Sequence, residues 1–230
     1  VNSVIYNKVR GSMIEFFGGE LVEAVIGGAA LNPDVEKFLR KIRFPYTVGY
    51  GMTECGPLIS YAYWAKYKER SSGKVVDRME VKIDSEDPQN IVGEILTRGN
   101  NVMLGYYKNE EATKEAFTVD GWLKTGDLGT MDSDNFIFIR GRSKNMMLGP
   151  SGQNIYPEEI EEKLNSSPFV SEALAISEDQ KVVALIVADK DALKENGVTD
   201  QEVDTLFQGV VAEVNSQLPS YSKIASFRLQ

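Results

Sequence analysis

Three short segments of this 230-residue sequence carry side chains that could bind a nucleotide and its metal ion. The first, at 50–54, reads Tyr-Gly-Met-Thr-Glu and follows an apolar stretch. The second is Thr-Gly-Asp at 125–127, and the third is Gly-Arg-Ser-Lys at 141–144. Each combination is common in proteins, so the argument depends on the residue types and on their order along the chain.

Thr53 and Glu54 together could bind a phosphate and a metal ion. Mg²⁺ prefers one or two carboxylates together with substrate phosphates, so Glu54 could hold the metal while the Thr53 hydroxyl contacts a phosphate. The alternative is a surface turn with two polar residues. The motif alone does not decide between these two interpretations.

Other residues could bind the sugar and the base. A carboxylate such as Asp127 suits a ribose diol, and the planar guanidinium of Arg142 could donate to ribose or phosphate oxygens. Tyr50 could stack on a purine, and Gly28 with Ala29 would allow a flat ligand to approach the backbone. The alternatives are a turn carboxylate, a surface arginine, a core tyrosine and a Gly-Gly turn, and for single residues these are the commoner cases.

The composition excludes several kinds of chemistry. There is no histidine, so triads with a His base, His-ligated zinc and imidazole proton shuttles are excluded within these residues. Cys55 is the sole cysteine, which excludes a disulfide framework, and no histidine or basic residue adjoins it to activate a thiolate. The loop 149–154 lacks the Lys-Ser or Lys-Thr pair of a nucleoside-triphosphatase phosphate loop. The net charge of −9 argues against a nucleic-acid partner.

The same features bear on location. No apolar run approaches the length of a membrane span, and the N-terminus lacks the pattern of a signal segment. A single cysteine suits a reducing compartment. We therefore expect a cytoplasmic protein.

The segments around 28–54 predict a βαβ unit. The apolar run 21–26 predicts a buried strand, Asn32 an N-cap with Pro33 at the first helical position, and 46–51 a second strand. Helical spacing predicts that one apolar stripe faces the core: Val35, Phe38, Leu39 and Ile42. The strands should be parallel, so that their following loops share the carboxyl edge where open α/β sheets bind ligands.

The rest of the chain predicts two further parts. Short apolar runs from residue 71 onwards, with a turn at 132–135, predict a small antiparallel β unit. Beyond 141, Ile155 and Ile160 fit a hydrophobic staple at a helix start, and Thr199 and Glu202 fit a capping box before a long amphipathic helix. The runs 173–176 and 182–187 predict a hairpin. We expect the end of a parallel α/β domain at 1–70, a small β subdomain at 71–141 and an α+β domain at 142–230.

In their order, these motifs resemble those of the acyl-adenylate-forming enzymes, the superfamily of acyl-CoA ligases, luciferases and adenylation domains. That family carries Tyr-Gly-x-Thr-Glu, Thr-Gly-Asp, Gly-Arg-x-Lys, then a Gly-containing loop leading into Pro-x-x-Ile-Glu, and this chain has all four. Gly-Glu-Ile at 93–95, Gly-Tyr-Tyr at 105–107 and Gly-Trp at 121–122 match its intervening elements. The segments 55–61 and 154–165 look most like the bacterial long-chain fatty acid–CoA ligases.

The resemblance implies a fold and a reaction. The fold is that of acyl-CoA ligases: the end of a large parallel-sheet domain, a small antiparallel β subdomain and a mobile α+β C-terminal domain. The reaction is ATP-dependent adenylation of a fatty acid to acyl-AMP, followed by thioester formation with CoA. ATP, Mg²⁺ and CoA are the implied cofactors and small-molecule partners. A long-chain acid also implies contact with a bilayer or a carrier, while the oligomeric state stays open.

The resemblance also assigns site residues. Thr53 and Glu54 would be catalytic, with Glu54 the metal ligand, and Lys144, which no local feature marks, would be the hinge of the C-terminal domain. The nucleotide would contact eight positions: Gly28, Ala29, Tyr50, Gly51, Met52, Thr53, Asp127 and Arg142. The CoA channel would include three positions of the glycine-containing loop: Gly149, Ser151 and Gly152.

Two parts of the family pattern are not found in these 230 residues. They are the Ser/Thr/Gly-rich phosphate loop upstream of Tyr-Gly-x-Thr-Glu and the catalytic lysine beyond Leu-Pro-x-Tyr-x-x-Ile, with which Lys223 does not align. We therefore expect a C-terminal fragment that is inactive by itself. The alternatives are a ligase for another carboxylic acid, such as an aryl or amino acid, and a non-catalytic nucleotide- or acyl-binding module.

Overall fold

The computed structural model describes residues 2–230, with Asn2 described by its backbone alone. The chain divides into two compact units, Val1–Ile139 and Arg140–Gln230, called the first and the second unit below. Within the described residues, no helix has both the length and the apolar character needed to cross a bilayer.

The first unit begins with the expected βαβ arrangement. Its elements are α1 (Asn2–Phe16), β1 (Ala24–Ile26), α2 (Pro33–Lys41) and β2 (Tyr46–Val48). β1 and β2 pair in parallel, with Val25 opposite Thr47, as predicted. The Asn32 side chain caps α2 by accepting hydrogen bonds from the N–H groups of Asp34 and Val35, at 2.9 and 3.3 Å.

The buried face of α2 differs from the predicted stripe. Leu39 and Ile42 are buried, but Val35 and Phe38 are 45% and 44% exposed, and Glu36 is buried in their place. Three donors satisfy the Glu36 oxygen Oε1: the hydroxyls of Tyr46 (3.5 Å) and Tyr67 (2.8 Å) and the N–H of Arg70 (3.0 Å). A buried carboxylate is tolerated when it is hydrogen-bonded, and here the donors come from outside the helix. The prediction that Val35 and Phe38 face the core was wrong, because hydrogen-bond donors on other elements allow α2 to bury Glu36 instead.

Antiparallel strands form the rest of the first unit. β3 (Tyr50–Gly51) pairs with β4 (Leu58–Ser60), and a 3-10 turn, Thr53–Cys55, lies between them. A four-stranded sheet follows in the order β5-β6-β7-β8, with a short helix α3 (Glu110–Ala116) between its second and third strands. Its strands are β5 (Met79–Asp84), β6 (Gly93–Gly99), β7 (Leu123–Met131) and β8 (Ile137–Arg142), and β8 begins in the first unit and ends in the second. The predicted hairpin turn at 132–135 is confirmed, because Asp132 accepts from the N–H groups of Asp134 and Phe136.

The second unit is the expected α+β structure. A small antiparallel pair, β9 (Met147–Leu148) and β10 (Asn154–Ile155), precedes α4 (Pro157–Leu164). The hairpin of β11 (Val170–Glu178) and β12 (Lys181–Ala188) is confirmed. The remaining elements are α5 (Lys190–Glu195), α6 (Asp200–Ser216) and β13 (Ile224–Leu229), which pairs in parallel with β12.

The capping box predicted in the second unit is present, and the two isoleucines of the predicted staple are buried. Thr199 and Glu202 form the capping box of α6, and Ile155 and Ile160 are both buried in one apolar cluster with Phe207. That cluster is separate from the two apolar clusters of the first unit. A further division of the first unit near residue 70, and a domain boundary at residue 142, stay predictions.

Candidate functional site

β3 and β7 bring two predicted site residues into contact. The Tyr50 hydroxyl donates to Oδ2 of Asp127 at 2.7 Å, although the two lie 77 positions apart. Both residues are buried, at 8% and 6% exposure. Burial, followed by the charge of the Asp127 carboxylate, raises the pKa of Tyr50 far above its ordinary value, so the phenol remains a protonated donor. This bond orients the Asp127 carboxylate.

The Thr-Gly-Asp segment is fixed from both sides of its turn. The Thr125 hydroxyl donates to the carbonyl of Ile95 at 2.7 Å and accepts from the Asp127 N–H at 3.0 Å. Gly126 has φ 74°, a left-handed conformation that favours glycine, and its N–H donates to Glu94 Oε1 at 3.0 Å. The position of Asp127 therefore depends on both backbone and side-chain contacts to β6.

The segment 50–54 makes a tight turn with glycine at its narrowest point. A Cβ on Gly51 would overlap the carbonyl group of Pro57, so only glycine fits between the two backbones. The Met52 N–H donates to that same carbonyl at 2.9 Å. This turn places Thr53 in an exposed position and Glu54 in a partly buried one.

Three residues that the sequence analysis did not assign to the site hold this turn in place. The Tyr106 hydroxyl donates to Glu54 Oε1 at 2.9 Å, and the Met103 N–H donates to the Glu54 carbonyl at 2.7 Å. The Asn101 side-chain amide donates to the Cys55 carbonyl at 2.6 Å. The one available signal was the Gly-Tyr-Tyr element of the family pattern, which gives no indication that Tyr106 contacts Glu54.

Glu54 is a suitable ligand for a hard cation. Among residues 2–230, no group of three or more His, Cys, Asp or Glu side chains could hold a metal ion. A single carboxylate fits an ion such as Mg²⁺, which takes its other ligands from substrate phosphates and water, and it does not fit a closed structural site. The adjacent Cys55 is fully buried, and burial raises the pKa of its thiol to about 11, with a smaller effect from the Glu54 charge. That thiol is a protonated core group.

Gly28 and Ala29 lie on the exposed loop that follows β1. Gly28 has φ 89° and no atom within 4 Å of its Cβ position, so the surrounding space is open. β1 and β2 end side by side, since Ile26 pairs with Val48 and accepts from the Gly49 N–H at 2.9 Å. The loops after both strands thus start from the same sheet edge, as predicted. Tyr50 belongs to an apolar cluster, and its place beside a purine stays a prediction.

The other predicted residues lie in the second unit. The N–H groups of Asn145 and Met146 donate to the Arg142 carbonyl, both at 3.1 Å, and this turn leaves the Lys144 side chain exposed. Glu158, at the start of α4, accepts from the Arg142 N–H at 3.2 Å and from the Asn145 side chain at 2.8 Å. The sequence analysis did not assign Glu158 to the site, because these contacts span 13 to 16 positions.

The glycine-containing loop connects β9 to β10. The Gly149 N–H donates to the Gln153 carbonyl at 2.8 Å, and the Gly152 N–H donates to the Gly149 carbonyl at 2.9 Å. Gly152 adopts φ 80°, and it is exposed together with Ser151. The loop has the form of a hairpin turn, and its part in a CoA channel stays a prediction.

Two family models match the chain. Residues 8–107 match the AMP-binding enzyme, and residues 145–229 match the AMP-binding enzyme C-terminal domain. The chain belongs to the AMP-binding enzyme family. Both compact units of this AMP-binding chain therefore carry a family match, and the resemblance indicated by the motif order is confirmed.

Two acid–CoA ligases are similar to this AMP-binding chain over most of its length. A long-chain-fatty-acid–CoA ligase of Mycobacterium bovis is 35% identical over 192 residues, which is 83% of this chain and 30% of that protein. A 2-succinylbenzoate–CoA ligase of Bacillus cytotoxicus is 36% identical over 212 residues, 85% of this chain and 42% of that protein. The chain thus spans less than half the length of either relative.

Solved structures agree with this AMP-binding assignment. The O-succinylbenzoate coenzyme A synthetase of Bacillus subtilis in complex with AMP matches at 28% identity with a TM-score of 0.78, over 97% of this chain and 46% of that chain. The same enzyme in complex with ATP and a magnesium ion matches at 28% identity with a TM-score of 0.74, over 95% and 46%. The predicted fold class, that of the AMP-forming acid–CoA ligases, is confirmed.

Proposed function

We propose that this chain supplies nucleotide-binding residues and the C-terminal domain of a ligase that adenylates a carboxylic acid and transfers it to CoA. The observation that carries the proposal is the buried bond from Tyr50 to Asp127. It joins the first two motifs of the family pattern at one point and presents a fixed carboxylate, which suits the two hydroxyls of a ribose.

In the proposed adenylation step, the substrate carboxylate forms a bond to the α-phosphorus of ATP and pyrophosphate leaves. The Thr53 hydroxyl donates to a phosphate oxygen, and Asp127 accepts from the ribose hydroxyls. Glu54 holds Mg²⁺, which neutralises phosphate charge when it is bound. A structure of the B. subtilis relative is in complex with ATP and a magnesium ion, which supports ATP and Mg²⁺ as ligands in this family.

In the proposed second step, the CoA thiolate forms a bond to the acyl carbon, and AMP leaves with the electron pair of the acyl–oxygen bond. Arg142 and Lys144 lie in the turn that joins β8 to β9, which suits a pivot of the C-terminal domain between the two steps. The exposed hairpin turn with Ser151 and Gly152 is the proposed CoA-contacting surface.

Long-chain fatty acids are the proposed acid substrate. The named relatives support two acids: the M. bovis protein is a long-chain-fatty-acid ligase, and the B. cytotoxicus protein is a 2-succinylbenzoate ligase of similar identity. The segments 55–61 and 154–165 favour the first. 2-Succinylbenzoate, an aryl acid, is therefore the second candidate.

Acid-dependent exchange of pyrophosphate into ATP tests this proposal. The protein from the complete reading frame would be assayed with fatty acids of short to long chain, 2-succinylbenzoate and one amino acid. We expect exchange to be greatest with long chains. Exchange with 2-succinylbenzoate alone would make that acid the substrate in place of long-chain fatty acids. Exchange with no acid would overturn the ligase function in favour of a nucleotide- or acyl-binding module.

A further inference from the structure

A loop of the first unit is fastened to the turn that carries Glu54. This bracing loop, residues 101–106, contacts the turn at successive points through Asn101, Met103 and Tyr106. Two of these bonds end on backbone carbonyls of the turn, and the third, from Tyr106, ends on the Glu54 carboxylate itself. Only the Tyr106 contact can therefore fix the direction of that side chain.

The backbone of Tyr106 is anchored independently of Glu54. Its N–H donates to the Thr113 hydroxyl at 2.9 Å, and that hydroxyl donates to the Asn109 carbonyl at 2.8 Å. Asn109 in turn caps α3 by accepting from the Ala112 N–H at 3.0 Å. The anchor of Tyr106 is thus the first turn of α3, a different element from the one that carries Glu54.

A glycine allows the close approach between the bracing loop and α3. A Cβ on Gly105 would lie 2.7 Å from the Thr113 methyl group and 3.0 Å from its hydroxyl. Any larger residue would push the loop away from the helix and would move the Tyr106 hydroxyl with it. The geometry of the phenol therefore depends on the residue before it as well as on Thr113.

The Tyr106 phenol is chemically suited to orient a cation ligand. It donates one hydrogen bond to Oε1 and adds no positive charge, whereas a lysine or arginine would neutralise the carboxylate and compete with a cation. Donors of this kind commonly orient metal ligands from behind, and losing them lowers metal affinity about 10- to 100-fold.

We propose that Tyr106 is a positioning residue that holds the Glu54 carboxylate in the orientation needed to bind a divalent cation together with the nucleotide. This inference rests on the proposed function, since it takes Glu54 as the cation ligand. Tyr106 acts through Glu54 and contacts neither substrate nor metal in the proposal.

Tyr106→Phe tests the proposal, with Tyr107→Phe as its matched control. Tyr107 is the next residue and the same side chain, 88% exposed, and its ring lies beside Lys108. In the protein from the complete reading frame, binding of the non-hydrolysable analogue α,β-methylene-ATP would be measured by calorimetry across a range of Mg²⁺ concentrations. We expect Tyr106→Phe to raise the half-saturating Mg²⁺ concentration about tenfold, with an unchanged melting temperature, and Tyr107→Phe to leave it unchanged.

An unchanged Mg²⁺ requirement in Tyr106→Phe would overturn the inference, and so would an equal rise in both tyrosine variants. Glu54→Gln separates this failure from failure of the proposed function. If Glu54→Gln raises the requirement and Tyr106→Phe does not, the positioning role alone is wrong. If Glu54→Gln also leaves it unchanged, the cation role of Glu54 is wrong.

Discussion

The hydroxyl of Tyr50 and the carboxylate of Asp127 share a buried hydrogen bond of 2.7 Å across 77 positions of sequence. Each residue belongs to a separate motif, and each motif has further contacts of its own, at Gly51 and at Thr125. The bond therefore links two turns that other contacts also hold in shape.

Replacing Tyr50 by phenylalanine should lower both stability and nucleotide affinity. The variant keeps the ring in the apolar cluster but leaves the Asp127 carboxylate without this donor, which costs about 1–3 kcal/mol in a buried site. We expect a loss of that size in the free energy of unfolding measured in urea, together with a higher Michaelis constant for ATP. Tyr63→Phe, at a residue that is 46% exposed, is the control. Equal stability of the two variants would contradict the importance of the bond.

Asp127→Ala should weaken the use of ATP in the protein from the complete reading frame. The proposed ribose contacts are lost, so the Michaelis constant for ATP should rise while that for the acid changes little. Initial rates of pyrophosphate exchange at varied ATP would measure this. Unchanged constants would remove Asp127 from the nucleotide site.

Lys144→Pro should impair thioester formation more than adenylation. Lys144 lies inside the turn closed by the N–H of Asn145, and proline there disfavours the helical conformation of the preceding Ser143. A pivot that cannot change its backbone angles should stop the movement between the two steps. Lys144→Ala is the control for loss of the charge. Equal loss of both half-reactions, measured as pyrophosphate exchange and acyl-CoA formation, would argue against the hinge.

Cys55 should be unreactive in the folded chain. With a pKa of about 11, only about 0.1% of the thiol is ionised at pH 8, and the fraction rises about tenfold per pH unit until the pKa is reached. Its complete burial adds a steric barrier. We expect no reaction with an aromatic disulfide reagent at pH 8 and one thiol per chain after denaturation in guanidinium. Rapid labelling of the native chain would show that the turn beside Glu54 opens readily.

Features set by neighbours in sequence could be predicted, whereas features set by distant contacts could not. The cap at Asn32 and the capping box of Thr199 and Glu202 depend on residues two or three positions away. The buried Glu36 could not be foreseen, because its donors lie 10 to 34 positions away on other elements. A residue's type states what it is able to bond to, and only the folded chain determines which partner is within reach.

The same limit applied to the candidate site. Motif order predicted Tyr50, Glu54 and Asp127 as site residues, but it did not indicate that Tyr50 and Asp127 contact each other. The contact of Tyr106 with Glu54 spans 52 positions and involves a residue to which the sequence analysis gave no role. Tyr50 and Asp127 lie on β3 and β7, and the pairings of β3 with β4 and of β6 with β7 each contain an irregularity that periodicity does not reveal.

Glu158 links the two ends of the turn at 142–145. Its carboxylate accepts one hydrogen bond from each side of Lys144, from the Arg142 N–H and from the Asn145 side chain. In the hinge proposed above, a swing about Lys144 would carry Asn145 along with α4 and would release the Arg142 N–H. In that proposal the two hydrogen bonds of Glu158 would favour one position of the turn, and differences in substrate binding would have to overcome only the one to the Arg142 N–H.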